Sequence, residues 1–347
     1  MKKLFFSLLI PLRLFATYGL AVACNDYYIG YFLPNLAYIR MEYKSDVPVE
    51  IWYAGNELSD ENKKLLARFG NVTFHNLVDV FGGKPQDYWG FQIKAYMLKA
   101  SHFDEVMIVD ADVYFASDPT LLFSHPRYLK TGAFFFRDLQ MIQFCHLHDD
   151  INETEKPCTQ WKHCFIESYW ARRDLFQQLV PIPSPYLPAD MRFFWENVEP
   201  TENNKLLIHY QESGVVVIDK SRHRTGIDNI LELNRNHQEI YKLVAGDKET
   251  YWMGMEMAGE PYAFNQGYPI NIRGKWIIPG IKRQKIRLVH KVDGKLFWFQ
   301  KKPVPLGANP IYKEYKGEDI APLTKEEVWR IEHIGFYVKM FGLPTRE

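Results

Sequence analysis

Runs of apolar residues alternate with amphipathic segments along the first third of the chain. A continuous apolar run, typical of a strand buried on both faces of a sheet, occurs at 18–24, and further strands are predicted at 49–53, 72–74 and 105–110. Helical periodicity predicts helices at 27–43 and 89–100, and Ser59 is the predicted N-cap of another helix between them. This alternation predicts an α/β fold with a mostly parallel, twisted sheet flanked by helices.

The second half of the chain shows a less regular pattern. Strands are predicted at 133–136 and 215–219, and helices at 166–179, 228–243 and 247–258. A segment rich in cysteine and histidine, 138–164, is predicted to form a loop. No flexible linker separates the two halves, so we interpret the chain as a single domain.

Composition narrows the class of protein. The chain has 347 residues, of which 47% are hydrophobic and 24% charged, as in a folded protein with a large core. Lys+Arg and Asp+Glu balance at 42 each, so no net positive charge favours nucleic acid as a partner. Aromatic residues reach 16%. They could stack on sugars, although burial in the core is the simpler explanation.

Two acidic residues follow the fourth predicted strand, at the edge where parallel sheets bind ligands. Asp110 and Asp112 flank Ala111 there. Two carboxylates repel a diphosphate unless a divalent cation lies between them, and such a cation stabilises a departing nucleoside diphosphate. On spacing alone, a solvated turn in which the aspartates cap backbone amides explains the pair equally well.

Several segments of the chain match the ordered motifs of one family. Lys94–Val106, Asp110–Asp112 and Asp118–Phe123 resemble the donor-site core of the fungal Golgi alpha-mannosyltransferase family. Three further segments resemble family motifs: Glu212–Lys220, Gly246–Trp252, and His290 with Asp293–Trp298. Together these matches run from about Tyr18 to Trp298.

The resemblance implies a GT-A-like catalytic domain that transfers mannose from GDP-mannose to a glycan or glycoprotein. It implies retention at the anomeric carbon and dependence on Mn²⁺ (or Mg²⁺). We divide the chain accordingly into a short apolar extension at 1–15, a Rossmann-like nucleotide-sugar half at 16–130 and an acceptor half at 131–347.

The resemblance also implies individual roles. Asp112 and His290 would bind the metal, and Asp110 would contact the metal or the ribose. Glu212 and Asp247 are the candidate catalytic carboxylates. Retention needs either such a nucleophile, with two inversions, or same-face attack in which the departing phosphate takes the acceptor proton.

Contacts to the donor are predicted at the ends of the first and fourth strands. The candidates are Ala23, Asn25, Asp26, Lys94, Asp110 and Ala111, and Trp89 and Gly90 could shape the base pocket. Several candidates also have a plain structural explanation. Asp247 could be a helix N-cap, His290 a core histidine, Glu212 a surface acid at a strand end, and Lys94 a solvated residue on a helix face.

The N-terminus allows three interpretations. Met1–Phe15 could be a signal peptide, with Cys24 as a lipid-modified mature terminus, or a weak membrane contact. We favour the third, in which 18–24 is the first strand, since cleavage before Cys24 would remove it. The short N-terminus favours a cytoplasmic or membrane-associated location over the Golgi lumen, because it lacks the anchor and stem of the fungal relatives.

Three alternatives stay open. The donor could be a UDP-sugar carrying glucose, galactose or N-acetylglucosamine, as in glycogenin-like enzymes. The chain could instead be a lipid-anchored binding protein. Zinc could also bind the residues of the cysteine- and histidine-rich segment, although their spacing is irregular and a disulfide or free thiols are simpler: Cys145, His146, His148, Cys158, His163 and Cys164.

Overall fold

The computed structural model describes residues 17–138, 179–180, 184–189, 191–192, 211–241, 244, 246–269, 273–275, 289–300, 311–313 and 323–341. The strands of its central sheet are β1 (Tyr18–Ala23), β2 (Val49–Tyr53), β3 (Val72–Asn76), β4 (Glu105–Val109), β6 (Ala133–Arg137), β7 (Gln211–Asp219) and β8 (Ala263–Phe264). Their order is β3-β2-β1-β4-β7-β6-β8. Neighbours pair in parallel except at β7, which is antiparallel to both β4 and β6. The predicted α/β fold with a mostly parallel sheet is confirmed.

Strand β1 lies between β2 and β4. Leu20, Ala21 and Val22 are fully buried, as their continuous apolar run predicts. Successive side chains point to opposite faces, so Ala21 joins one core cluster while Leu20 and Val22 join the other. The interpretation of 18–24 as the first strand is confirmed. A mature terminus at Cys24 would delete the strand that joins β2 to β4.

Helices cover both faces of this sheet. They are α1 (Ile29–Met41), α2 (Asp60–Ala67), α3 (Leu77–Phe81), α4 (Ile93–Ala100), α5 (Pro126–Thr131), α6 (Arg224–Arg235), α7 (His237–Ile240), α8 (Thr250–Ala258) and α9 (Lys325–Phe341). Helices α4, α6 and α8 bury apolar side chains in one core cluster, and α1 and α2 do so in the other. Helix α9 packs against α1. Ser59 caps α2, as predicted, by accepting a hydrogen bond from the Asn62 N–H.

A smaller sheet connects the acidic pair to the C-terminal histidine. Its strands are β5 (Val113–Phe115), β10 (Val289–Val292) and β11 (Lys295–Gln300), in the order β10-β11-β5. Trp298 of β11 pairs with both Phe115 and His290. Strands β9 (Arg273–Lys275) and β12 (Ile311–Lys313) form a separate antiparallel pair. Pairing of β5 with β11 therefore draws the His290 strand toward the edge of the central sheet.

Two predicted helices begin later than expected. The helix predicted at 89–100 begins at Ile93, because Gly90 has a φ of +92°, a conformation that interrupts a right-handed helix. The helix predicted at 247–258 begins at Thr250, after a turn.

The segment predicted as one helix at 228–243 is two helices. The first begins at Arg224, and Asn236 separates it from α7. Most of the predicted loop at 138–164 and of the predicted helix at 166–179 lies outside the described residues, and so do the residues of the zinc hypothesis. Within the described part of the chain, no helix is long and apolar enough to cross a membrane.

Candidate active site

The predicted acidic pair lies at the carboxyl end of β4. The backbone N–H of Asp110 donates to the carbonyl of Gly214 on β7 (2.9 Å), and the Asp110 carbonyl accepts from the Val113 N–H (3.0 Å). These bonds close a tight turn around Ala111, which is buried. Asp110 and Asp112 are only half-buried. The turn therefore places two carboxylates at the edge of the sheet where ligands bind in α/β folds.

Lys94 of α4 is the charge partner of this turn. Its Nζ lies 2.9 Å from Asp110 Oδ1 and 2.8 Å from Asp247 Oδ2. It also donates to the carbonyl (3.1 Å) and the hydroxyl (3.0 Å) of Ser213. Burial of the side chain opposes its charge, but the two carboxylates outweigh burial and raise the pKa of Lys94. Lys94 is thus a fixed positive charge inside the site, and its interpretation as a solvated residue on a helix face is wrong.

Asp247 precedes α8 but does not cap it. The N-cap position is Glu249, which makes no side-chain capping bond. The Asp247 carboxylate instead accepts hydrogen bonds from Ser213 Oγ (3.2 Å) and Tyr251 Oη (2.9 Å), in addition to its ion pair with Lys94. It is 1% exposed. The N-cap interpretation is therefore wrong, and Asp247 is a buried junction of α4, β7 and α8.

Two carboxylates, those of Asp110 and Asp247, contact the single Lys94 ammonium, and the negative charge of Asp112 acts on Asp110. Burial raises the pKa of Asp110, the negative charges of Asp112 and Asp247 raise it further, and Lys94 opposes the rise. The cluster has more negative than positive groups, so a divalent cation beside Asp110 and Asp112 would relieve their repulsion.

A second cluster lies around Glu212, on the same strand as Ser213. Glu212 Oε2 pairs with Lys248 Nζ (2.6 Å), and Lys248 also pairs with Asp138 (2.7 Å). Glu212 Oε1 accepts from the Gly214 N–H (3.0 Å) and from Gln300 Nε2 (3.2 Å). Burial alone would raise the pKa of Glu212, but Lys248 lowers it. Glu212 is thus a buried, ionised carboxylate rather than a surface acid at a strand end.

Gly214 lies between the two clusters and has no room for a side chain. A Cβ there would lie 2.5 Å from Gln300 Nε2 and 3.1 Å from the Trp298 ring. The close approach lets the Gly214 carbonyl reach Asp110 on one side and its N–H reach Glu212 on the other.

His290 is fully buried, and its ring stacks on Trp298 with centroids 3.9 Å apart. Neither ring nitrogen has a hydrogen-bond partner among the described residues. Burial lowers the pKa of His290 to about 3, against the opposing charge of Glu212, so the imidazole is neutral at physiological pH. A neutral, buried and unpaired imidazole is costly unless a ligand satisfies it, and it suits a divalent metal.

The predicted metal ligands are not gathered around one point. Ligand atoms of Asp110, Asp112 and His290 do not all lie within 4.8 Å of one another in the described structure. The donor types nevertheless fit Mn²⁺ or Mg²⁺, because both aspartates are oxygen donors and His290 has unpaired nitrogens.

At the end of β1, the side chains of Asn25 and Asp26 accept hydrogen bonds near the N-termini of α1 and α2. Asn25 Oδ1 accepts from the N–H groups of Tyr27 and Tyr28, both at 3.1 Å, before α1. Asp26 Oδ1 accepts from Ser59 N–H (2.9 Å) and from Asn62 Nδ2 (2.8 Å) at α2. The side-chain oxygens of Asn25 and Asp26 are therefore engaged within the protein.

Exposed aromatic side chains border the acidic turn. Tyr27 and Tyr28 are 54% and 44% exposed, and their rings and that of Tyr31 lie within 6.3 Å of one another. Burial raises the pKa of Tyr28, and the charges of Asp112 and Asp110 raise it further, which places this hydroxyl in the field of the acidic pair. Such a cluster offers flat faces for stacking a base or a sugar.

Sequence reasoning assigned no role to Ser213, Lys248 or Tyr251. All three fall inside segments that carried the family resemblance, yet their types alone gave no reason to single them out. Their importance follows from contacts between elements far apart in sequence, which no local pattern encodes.

Comparison with known protein families shows which family the chain belongs to. Residues 18–277 match the family described as "Mannosyltransferase putative". The chain belongs to this mannosyltransferase family. The match covers the acidic pair, Lys94, Glu212 and Asp247, and it confirms the resemblance drawn from the motifs. His290 lies beyond the matched range.

Fungal relatives agree with this membership. The chain is 30% identical over 181 residues to "Putative alpha-1,3-mannosyltransferase MNN15" of Candida albicans, which covers 51% of this chain and 21% of that protein. It is 28% identical over 258 residues to alpha-1,3-mannosyltransferase MNT3 of Saccharomyces cerevisiae, covering 71% and 38%. The chain thus spans less than two fifths of the length of these curated relatives.

Solved glycosyltransferase structures show remote similarity to this member of the mannosyltransferase family. The mannosyltransferase Ktr4p of S. cerevisiae is 12% identical with a TM-score of 0.45, over 70% of this chain and 66% of that one. The galactosyltransferase LgtC is 12% identical with a TM-score of 0.38, over 71% and 73%.

Proposed function

We propose that the chain transfers a hexose from a nucleotide sugar to a hydroxyl group of a glycan or glycoprotein. Mannose from GDP-mannose is the favoured donor, because the chain belongs to a mannosyltransferase family. The observation that carries the proposal is the buried Lys94 ammonium, bound to Asp110 and Asp247 at the carboxyl edge of the sheet. It fixes the acidic turn where a diphosphate would be received.

The acidic turn would hold Mn²⁺ or Mg²⁺ through Asp110 and Asp112, with His290 as a further ligand. Lys94 engages Asp110 Oδ1, and the cation would take the other oxygen of the same carboxylate. When bound, the metal neutralises the diphosphate and stabilises its departure. The unpaired nitrogens of His290 support its part in this set.

The nucleoside would lie over the end of β1. Asn25 and Asp26 already use their side-chain oxygens at the helix starts, so backbone groups from Ala23 to Asp26 are the expected contacts there. The exposed ring of Tyr28 borders the same edge and can stack on the base.

The environments of the two candidate carboxylates bear on retention. Both Glu212 oxygens are engaged, by Gly214 and Gln300 at one and by Lys248 at the other, and the side chain is 2% exposed. Asp247 is likewise engaged by three partners. Neither carboxylate has an oxygen without a partner to attack a sugar, which supports same-face attack with the departing phosphate as base. In this mechanism Asp247 orients Lys94, and Glu212 holds β7 and β11 together.

The experiment is transfer and hydrolysis by the purified chain, measured with GDP-mannose and a panel of UDP-sugars in the presence of Mn²⁺. We expect turnover with GDP-mannose, and a loss of about a hundredfold or more in Asp112→Asn, because one charge of the metal site is removed. Asp60→Asn is the matched control. Asp60 is an exposed acid in the first turn of α2, and we expect that variant to retain full activity.

Turnover with UDP-sugars alone would replace the mannose proposal by the glycogenin-like alternative. Full activity of Asp112→Asn would exclude the metal role of the acidic turn. A chain that binds sugars but turns over no donor would support the binding-protein alternative.

A further inference from the structure

A second cluster of metal-ligating side chains lies away from the acidic turn. Glu50 of β2, His75 of β3 and His102 after α4 place one ligand atom each within 4.8 Å of the others. Among the described residues, this is the one group of three His, Cys, Asp or Glu side chains whose ligand atoms all lie this close together. Glu50 pairs with Ala21, and Ala21 pairs with Ile108 of β4, so two strand spacings, on the order of 10 Å, separate Glu50 from the strand that ends at the acidic turn.

The carboxylate of this cluster is held in place before any ion arrives. Glu50 is 2% exposed. Its Oε2 accepts from Trp52 Nε1 (3.1 Å), and its Oε1 accepts from the His102 N–H (2.9 Å). Metal-binding carboxylates are commonly fixed in this way by surrounding donors, and such donors add to affinity.

Both histidines approach the same Glu50 oxygen. His102 Nδ1 lies 3.0 Å and His75 Nε2 lies 3.9 Å from Glu50 Oε1. The His75 ring stacks on Trp52 with centroids 4.7 Å apart, which orients its nitrogen toward the carboxylate. Ligand atoms at about 2.1 Å from a zinc-class ion are separated by up to about 4.2 Å, so small ring rotations bring the three atoms around one ion.

Two features of the cluster would let an ion bind: the Thr73 hydroxyl can rotate, and the His102 side chain is exposed. Thr73 Oγ1 now lies 3.0 Å from His75 Nε2, and it can turn toward the Val49 carbonyl, 3.5 Å away, to release that nitrogen. The His102 side chain is 69% exposed, so solvent or a further ligand can reach the open coordination position.

We propose that Glu50, His75 and His102 form a binding site for a divalent transition-metal ion of the zinc class, separate from the catalytic centre. Two imidazoles and one carboxylate are the donor set that such ions accept, with one position left open. The ion would join β2 and β3 to the turn that leads from α4 into β4. The proposal of this metal site does not depend on the proposed transferase activity.

The test is titration of the metal-free full chain with Co²⁺, whose visible absorption reports a four-coordinate site, followed by displacement with Zn²⁺. We expect one Co²⁺ band in the wild type and in Asp112→Asn. Affinity should fall at least about tenfold in His102→Ala and in His75→Ala, because each variant removes a ligand. His237→Ala is the matched control, because His237 lies on α7 and its Nδ1 donates to the nearby Asn234 carbonyl (3.2 Å).

His102→Ala removes a mostly exposed side chain, so its circular dichroism should match that of the wild type, and loss of cobalt binding cannot be attributed to unfolding. An undiminished band in His102→Ala would overturn the proposal, because cobalt would then be bound elsewhere. A band lost in Asp112→Asn but kept in His102→Ala would also overturn it. Failure of this site leaves the proposed transferase function untouched, since donor turnover is measured separately.

Discussion

Two lysine-centred clusters lie on either side of Gly214, and they differ in which charge is exposed. In the first, Lys94 is 5% exposed and its partner Asp110 is 29% exposed. In the second, Lys248 is 29% exposed and its partner Glu212 is 2% exposed. The first therefore turns a carboxylate outward, and the second turns an ammonium outward.

This difference shows how similar ion pairs give opposite surfaces within one site. Both clusters combine one lysine with two carboxylates, so residue types alone do not distinguish them. The clusters differ in which partner of the ion pair is buried: the lysine in the first, and the carboxylate of Glu212 in the second. A metal and a diphosphate would need both kinds of surface close together.

The largest effect is expected from Lys94→Met, which leaves Asp247 buried without its charge partner. We expect the free energy of unfolding to fall by about 3–5 kcal/mol, because an uncompensated buried charge is costly. Urea denaturation measures this loss. Lys99→Met is the matched control on the same helix. Lys99 is an exposed residue paired with Asp228, and its loss should cost at most about 0.5 kcal/mol. Equal losses in the two variants would contradict the burial contrast.

A smaller effect is expected from Lys248→Met. Glu212 keeps its hydrogen bonds from Gly214 and Gln300, and the lysine is partly solvated, so the expected loss is about 1–3 kcal/mol. The same denaturation experiment checks the order of the two variants. A loss larger than that of Lys94→Met would show that the second cluster, not the first, is the main electrostatic junction.

The smallest effect is a pH dependence contributed by His290 beside the second cluster. Its folded-state pKa, lowered to about 3 by burial, lies below the ordinary value of about 6.5, so the unfolded chain binds more protons between these pH values. Stability is then fully present above about pH 6.5 and is lost as the pH falls, by up to about 1.4 kcal/mol per pH unit.

Replacement of this histidine, as in His290→Phe, should flatten that slope by up to one proton's contribution. Unfolding is compared between pH 6.5 and pH 5 in metal-free buffer. An unchanged slope would mean that the imidazole is not buried in its neutral form.

The strands were predictable where burial is continuous. The runs that form β1, β2 and β4 are mostly apolar, with Glu50 and Glu105 as the charged exceptions, so the sequence pattern predicts them. Strand β7 was predicted only from Val215, because Gln211, Glu212 and Ser213 are polar. These residues are buried in the structure because charge partners from other elements reach them, and no local pattern contains that information.

The helix starts show the same limit. Ser59 was found because an N-cap is a local signal. The start at Ile93 was missed because the positive φ of Gly90 depends on the loop around it. The sequence around Asp247 is typical of an N-cap, but its carboxylate forms an ion pair with Lys94 of α4 and accepts hydrogen bonds from Ser213 of β7 and Tyr251 of α8.

The α/β class, the central strands, the acidic pair at a strand end and the family can all be predicted from the order of the amino acids. These follow from the 2.0 and 3.6 residue periods, from apolar runs and from ordered motifs, all of which are local. Three other features depend on packing between distant segments: Lys94 joins Asp110 to Asp247, His290 is buried with no hydrogen-bond partner among the described residues, and Glu50 contacts two histidines. Charges act through space, so their partners are set by how the strands and helices pack and not by their order along the chain.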